Sequence, residues 1–149
     1  MKKFKFSLES VLFYETHLQN RETEKLNVLK AEYQALDDAR QALQESYERE
    51  VAEYQAQCAQ GVPASKVRTM RIMLEEMKRK IESYDERLLR LQDQIDRQRE
   101  RLLAVTTDKM TVEKLRENKF EAYTEEVRKK EEVIIEEFVA NVAASRMVH

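Results

Sequence analysis

The side chains best suited to metal binding or nucleophilic chemistry are few in this sequence and stand far apart. The two histidines are His17 and His149, and the one cysteine is Cys58. A metal site built from these residue types needs ligands at short, regular spacing or in clusters, and no such spacing occurs. Phosphate-binding glycine loops and nucleophile motifs are also missing from the sequence. We therefore expect no metal, no cofactor and no catalytic residue.

Two basic stretches could bind an anionic partner. Three arginines lie in the sequence QIDRQRERL, residues 94–102, where acidic residues alternate with them. A stripe that binds nucleic acid needs basic residues free of acids and aromatic rings for stacking. The start of the chain carries Lys2, Lys3 and Lys5. We interpret the arginine stretch as a solvated helix face and favour a solubilising role for the lysines over contact with an acidic partner.

The composition indicates which secondary-structure elements would hold any functional site. The chain has 149 residues, of which 38% are charged, and it contains one glycine and one proline, Gly61 and Pro63. An average chain of this size has roughly 10 glycines and about 7 prolines, and these residues make most turns. The composition therefore predicts long helices that reverse direction once, at the only place where both breakers occur.

The apolar residues recur at steps of three and four, which is the spacing of a coiled-coil seam. The polar exceptions are Arg40 and Glu50 in the first arm and Gln98 in the second, and the phase of the first arm shifts near residues 21–25. The first-arm seam is Leu26, Leu29, Tyr33, Leu36, Arg40, Leu43, Tyr47, Glu50 and Tyr54. The second-arm seam is Val67, Met70, Leu74, Met77, Ile81, Tyr84, Leu88, Leu91, Ile95, Gln98, Leu102 and Val105.

These patterns predict an all-α fold, a long antiparallel two-helix coiled-coil hairpin with unequal arms. We expect one elongated domain over 1–149, with helices at 7–60 and 66–146 and a turn at 61–65. Ser7 is a suitable N-cap, and Gly61 can adopt the left-handed conformation that ends a helix. With these arm lengths, residue 8 should lie beside roughly residue 116. Residues 117–149 should then overhang the paired region.

The overhang would leave a dense set of apolar side chains in water, which proteins avoid. We predict that a partner protein covers them. The alternatives are a frayed tail and self-dimerisation through the same stripe. The candidate partner-binding residues, called here the C-terminal surface, are Ile134, Ile135, Phe138, Val139 and Val142.

A second candidate contact surface lies near the turn. We name Tyr47, Tyr54 and Met73 as its partner-binding residues and call them the loop-side surface. Methionine adapts to varied surfaces, and Met73 lies off the seam, where it should be partly exposed. For Tyr47, as for Met70 and Met77, burial in the hairpin is the favoured interpretation.

The remaining features bear on location and activity. A lone cysteine gives no reason to expect an oxidising compartment. No apolar run approaches the ~18 residues of a membrane span, and the acidic residues Glu9 and Glu15 interrupt the start of the chain, which disfavours a signal peptide. We expect a cytosolic protein. A two-helix hairpin offers no enclosed pocket, so we expect no enzyme activity and no small-molecule ligand.

The chain resembles the FliJ family, the small coiled-coil proteins of the bacterial flagellar type III export apparatus. The opening FKFSLESVLFYETHLQNRETEKL is similar to that family's F-x-F-x-L-x-x-V-L run with following E and R residues. A polar turn falls near residue 61, and the segment DKMTVEKLRENKFEAYTEEVRKKEEVIIEEF is similar to the family's K-x-x-x-E-K-L-x-x-K stretch and charged tail. Family members often carry an Asp-Glu pair and an Arg near the end, where this chain has IIEEFVANVAASR.

The resemblance implies a cytoplasmic stalk, similar to the central stalk of rotary ATPases and peripherally associated with the membrane at the flagellar base. It also implies that the terminal helices enter the export ATPase ring, and that the protein contacts the membrane export gate and export chaperones. The alternatives are a stand-alone coiled-coil adaptor, a prefoldin-like holdase and a helical arm that contacts nucleic acid. Steeply salt-dependent binding to RNA or DNA would favour the last of these.

Overall fold

The structure, a computed structural model, describes residues 2–148, so the ends of the expected domain, Met1 and His149, lie outside the described residues. Helix α1 spans Glu9–Gln60 and helix α2 spans Ala64–Val148. The two helices pack against each other as a helical hairpin, and residues 2–148 contain no strand. The predicted fold class, an all-α hairpin with arms of unequal length, is confirmed: the helices have 52 and 85 residues.

The turn forms where the two helix breakers lie. Gly61 has a φ of 86°, in the left-handed region, and its N–H donates to the carbonyl of Cys58 at 3.3 Å. The Pro63 carbonyl accepts from the N–H groups of Lys66, at 3.0 Å, and Val67, at 3.2 Å, so Pro63 directly precedes α2. A glycine ends helices in this way because it lacks a Cβ. Non-helical residues run from 61 to 63, a shorter turn than the expected 61–65.

Three of the four helix ends differ from the expected ones by two residues, and the expected end of α1 at Gln60 is confirmed. Helix α1 begins at Glu9 because the first intrahelical bond runs from the N–H of Leu12 to the carbonyl of Leu8, at 3.0 Å. Ser7, the expected cap, lies in a turn before the helix, where the N–H of Glu9 donates to the Phe6 carbonyl at 3.2 Å. Helix α2 extends to Val148 instead of 146.

The contacts of the chain cluster into two compact units, and the first consists of residues 20–103. Its buried apolar side chains all lie on the predicted seam: Leu26, Ile81, Leu88 and Ile95. The other apolar seam positions of this unit are half-buried, and so are Arg40 and Glu50. Arg40, a polar exception, forms an ion pair with Asp85 at 2.6 Å. The seam prediction is therefore confirmed within this unit, and Arg40, one of its two charged exceptions, is paired.

Gln98, the polar exception of the second arm, lies in the most enclosed part of the same unit. Its side-chain amide donates to the backbone carbonyl of Glu22 at 3.0 Å and to the Oε2 atom of the Glu22 carboxylate. Both residues are buried. The hydrogen bond from Gln98 lowers the pKa of Glu22, and nearby Lys25 acts in the same direction. A buried amide without partners would be costly, so this contact makes a polar seam position tolerable.

The second unit comprises the described residues 2–19 and 104–148. Residues 2–8 precede α1, and we call them the N-terminal segment. The Phe4 ring meets Phe120 edge-on at 5.1 Å between ring centroids and lies 5.5 Å from Tyr123. The Tyr123 hydroxyl donates to the carbonyl of Lys2 at 2.8 Å. Glu9 and Arg116 form an ion pair at 3.0 Å, in agreement with the expected pairing of residues 8 and 116.

Contacts reach further along α2 in this unit than the expected overhang allows. Tyr123 and Val127 are half-buried, although both fall within 117–149. The reason is that the N-terminal segment continues past the start of α1 and lies against α2. Residues 128–148 are exposed throughout. Whether the chain is a single elongated domain stays a prediction.

Candidate partner-binding surfaces

The C-terminal surface lies on α2 and is open to solvent. Ile134 is 64% exposed and Phe138 is 68% exposed, and Ile135, Val139 and Val142 are also exposed. At 3.6 residues per turn, the five side chains cover an arc of about 140° of the helix circumference. A coiled-coil seam is narrower. The surface is therefore wide enough to contact more than one partner element at once.

Local ion pairs hold the helix that presents this surface. Arg128 contacts the Glu125 carboxylate at 2.6 Å and also pairs with Glu132, one turn away on the other side. Pairs at these spacings stabilise helices. The hydrogen bond from Arg128 lowers the pKa of Glu125, and the same contact raises the pKa of Arg128. The stretch that leads into the C-terminal surface is thus supported by local ion pairs.

The loop-side residues occupy two kinds of environment. Tyr47 and Tyr54 are half-buried on the seam, while Met73 is 40% exposed. Ile72, which the sequence analysis did not single out, is 53% exposed beside Met73. It borders a shallow groove of about 300 Å³ that Val67, Arg68 and Glu75 also line. Ile72 could have been found by the criterion applied to Met73, because both lie off the seam close to the turn.

A third surface was missed by sequence reasoning. The N-terminal segment and α2 border a groove of about 1520 Å³. Its apolar lining includes Phe4, Tyr123 and Val127. Five lysines and a single acidic residue, Glu126, also line it. We call this the lysine groove; its lysines are Lys2, Lys3, Lys5, Lys119 and Lys130.

The structure also bears on metal binding, on the single cysteine and on membrane insertion. Within residues 2–148, no three His, Cys, Asp or Glu side chains gather closely enough to hold a metal ion. Cys58 is exposed. Neither helix, over the part of the chain that is described, contains a stretch long and apolar enough to cross a membrane.

The fold is that of a two-helix coiled-coil protein, and its candidate functional sites are surfaces for contact with partners. The protein-family model described as "Flagellar FliJ protein" matches residues 4–147, nearly the whole chain, and the chain therefore belongs to the FliJ family. The resemblance stated from the sequence is thereby confirmed. Membership makes the chain a structural component of flagellar protein export. Neither the curated proteins nor the solved structures yielded a match.

Proposed function

We propose that this protein is a non-enzymatic, cytoplasmic stalk that binds the ring of the flagellar export ATPase. In this proposal, the C-terminal surface inserts into the ring, and the loop-side surface contacts the membrane export gate and export chaperones at the inner face of the membrane. The observation that carries the proposal is the wide arc of exposed apolar side chains on α2, in a chain of the FliJ family.

The energetic argument concerns what these side chains gain from a partner. Full burial of one large aliphatic or aromatic side chain is worth about 1.5–3 kcal/mol. Ile134 and Phe138, one turn apart and more than three-fifths exposed, are the best anchors. Their neighbours on the same arc extend it so far around the helix that a flat partner could not cover all of it. A concave wall, such as the inner side of a ring, would cover the arc and leave the opposite side of α2 free.

The proposal for the loop-side surface depends on fewer exposed side chains. Met73 and Ile72 are adjacent, exposed and apolar, and they lie in the first turns of α2. Tyr47 and Tyr54 are half-buried, so they would contribute their exposed edges. Methionine suits contacts with several different partners because its side chain is flexible and polarizable.

A binding experiment with matched substitutions tests the proposal. We expect Phe138→Asp, and separately Ile134→Asp, to weaken capture of the export ATPase at least about tenfold, as for an anchor residue of an interface. Val133→Asp is the control: Val133 is also exposed, but the helical spacing places it on the opposite side of α2 from Phe138. Far-UV circular dichroism should show unchanged helicity for all three variants.

Other outcomes would count against the proposal. Equal loss of ATPase binding in the Val133 and Phe138 variants would mean that charge alone weakens binding. Unchanged binding in the Phe138 variant would remove the C-terminal surface from the ATPase contact.

A substitution in the loop-side surface separates the two proposed surfaces. Met73→Asp should leave ATPase binding intact and reduce binding to the cytoplasmic part of the export gate.

A further inference from the structure

We propose that the lysine groove binds a short acidic segment of a partner protein, in an extended conformation and with an apolar side chain near its middle. This surface is separate from the C-terminal and loop-side surfaces, so the inference goes beyond the proposed function. Its occupant is recognised by charge and by apolar contact, because both lysines and apolar side chains line the groove.

The first argument is that the basic residues of the groove lack internal partners. Five lysines and one glutamate line it, although the whole chain has a net charge of −2. None of the five ammonium groups forms an ion pair within residues 2–148. Elsewhere in the same unit, Arg116 and Arg128 are paired with glutamates. An acidic segment would supply the carboxylates that the groove lacks.

The second argument is the order in which these side chains occur. Lys119, Tyr123, Glu126 and Lys130 recur at steps of four, three and four, so they share one side of α2. The lysines Lys2, Lys3 and Lys5 belong to the N-terminal segment, which borders the groove opposite α2. Both the N-terminal segment and α2 therefore contribute basic side chains to the lining, together with the apolar side chains of Phe4, Tyr123 and Val127.

The third argument is length. From Lys119 to Lys130 the helix rises roughly 17 Å, which is the span of about five residues of extended chain. A peptide of that size ends inside the groove. A membrane surface or a nucleic acid would extend beyond it and meet Glu131, Glu132, Glu136 and Glu137 on the following turns of α2.

The aromatic residues also favour a peptide over a nucleic acid. Sequence-tolerant binding of single strands uses open ring faces on which bases stack. Here the Phe4 ring is engaged with the rings of both Phe120 and Tyr123, and the Tyr123 hydroxyl is bonded to the backbone of the N-terminal segment. Rings engaged with one another in this way are poorly suited to serve as an open platform for bases.

The test uses the full chain and a labelled peptide, Glu-Glu-Leu-Glu-Glu, with Gln-Gln-Leu-Gln-Gln as its uncharged counterpart. We expect the acidic peptide alone to shift the backbone NMR signals of residues bordering the groove. Substituting Lys119→Gln and Lys130→Gln together should weaken its binding roughly tenfold, since each exposed ion pair is worth a factor of a few. Raising the salt concentration should weaken it as well.

The matched control removes the same charge elsewhere on the same helix. The variant Lys78→Gln with Lys80→Gln changes two exposed lysines outside the groove, and it should bind the peptide like the wild type. Equal weakening in both double variants, or no binding at all, would overturn the proposal. So would tighter binding to oligothymidine or to phosphatidylglycerol vesicles than to the acidic peptide. Neither double variant changes the C-terminal surface, so ATPase capture reports on that surface independently.

Discussion

Two stretches of α2 carry similar apolar stripes and differ in what covers them. Ile95, on the seam of the unit formed by residues 20–103, is 3% exposed, whereas Ile134 is 64% exposed. Both are isoleucines in helical stripes, and both have acidic residues close by in the sequence. Spacing and residue type thus do not tell whether a stripe stabilises the fold or remains available to a partner. The deciding feature is whether another part of the chain covers the stripe.

The largest expected effect comes from shortening the same residue type in each stripe. Ile95→Ala should lower the free energy of unfolding by about 2–5 kcal/mol, because it removes buried methyl groups and leaves a cavity. Ile134→Ala should change it by less than about 0.5 kcal/mol, since the side chain is already in water. Urea denaturation followed by circular dichroism measures both. Similar losses in the two variants would show that Ile134 is covered in solution.

A smaller effect is expected at the buried polar pair. The lowered pKa of Glu22 means that its ionised form stabilises the folded chain. That contribution is present above the ordinary carboxyl pKa of 4.5 and is lost as the pH falls through the lower folded value. Gln98→Leu removes the principal cause of the shift. It should therefore destabilise the protein at neutral pH, by less than Ile95→Ala does, and reduce the stability lost on acidification.

The control for this pH effect is Gln94→Leu, an amide-to-leucine change at an exposed position one turn earlier on α2. Its loss of stability between about pH 6 and about pH 3 should match that of the wild type, because this is the range in which carboxyl groups titrate. If the Gln98 variant also matched the wild type over this range, Glu22 would not depend on Gln98 for its ionised state.

The sequence analysis predicted the features that depend on local interactions and missed those that depend on residues far apart in sequence. The seam was predictable because three-four spacing is a local property, and the turn was predictable because Gly61 and Pro63 act on their own backbone. The partner of Gln98 was not, since Glu22 is 76 residues away in sequence. The expected phase shift near residues 21–25 nevertheless falls where Glu22 is buried.

The lysine groove could not be predicted for a related reason. An irregular segment has no periodicity, so nothing in residues 2–8 indicates which face of α2 they would contact. Their basic residues were interpreted as a solubilising end, and the sequence analysis did not single out Lys119 or Lys130. The contacts of Phe4 with Phe120 and Tyr123 bring these two sets of lysines to one groove.

The smallest expected effect concerns Tyr123. The N-terminal segment partly covers this side chain, whereas Phe138 has no such cover. Tyr123→Phe keeps the ring but removes the hydroxyl that donates to Lys2 at 2.8 Å. A solvent-exposed hydrogen bond is worth at most about 1 kcal/mol net, so global stability should hardly change. Amide hydrogen exchange within the N-terminal segment should accelerate by less than about fivefold, because local opening reports the contact directly. Phe138→Ala should leave that exchange unaltered; exchange unaltered in the Tyr123 variant as well would mean that the Phe4 ring contacts alone hold the segment against α2.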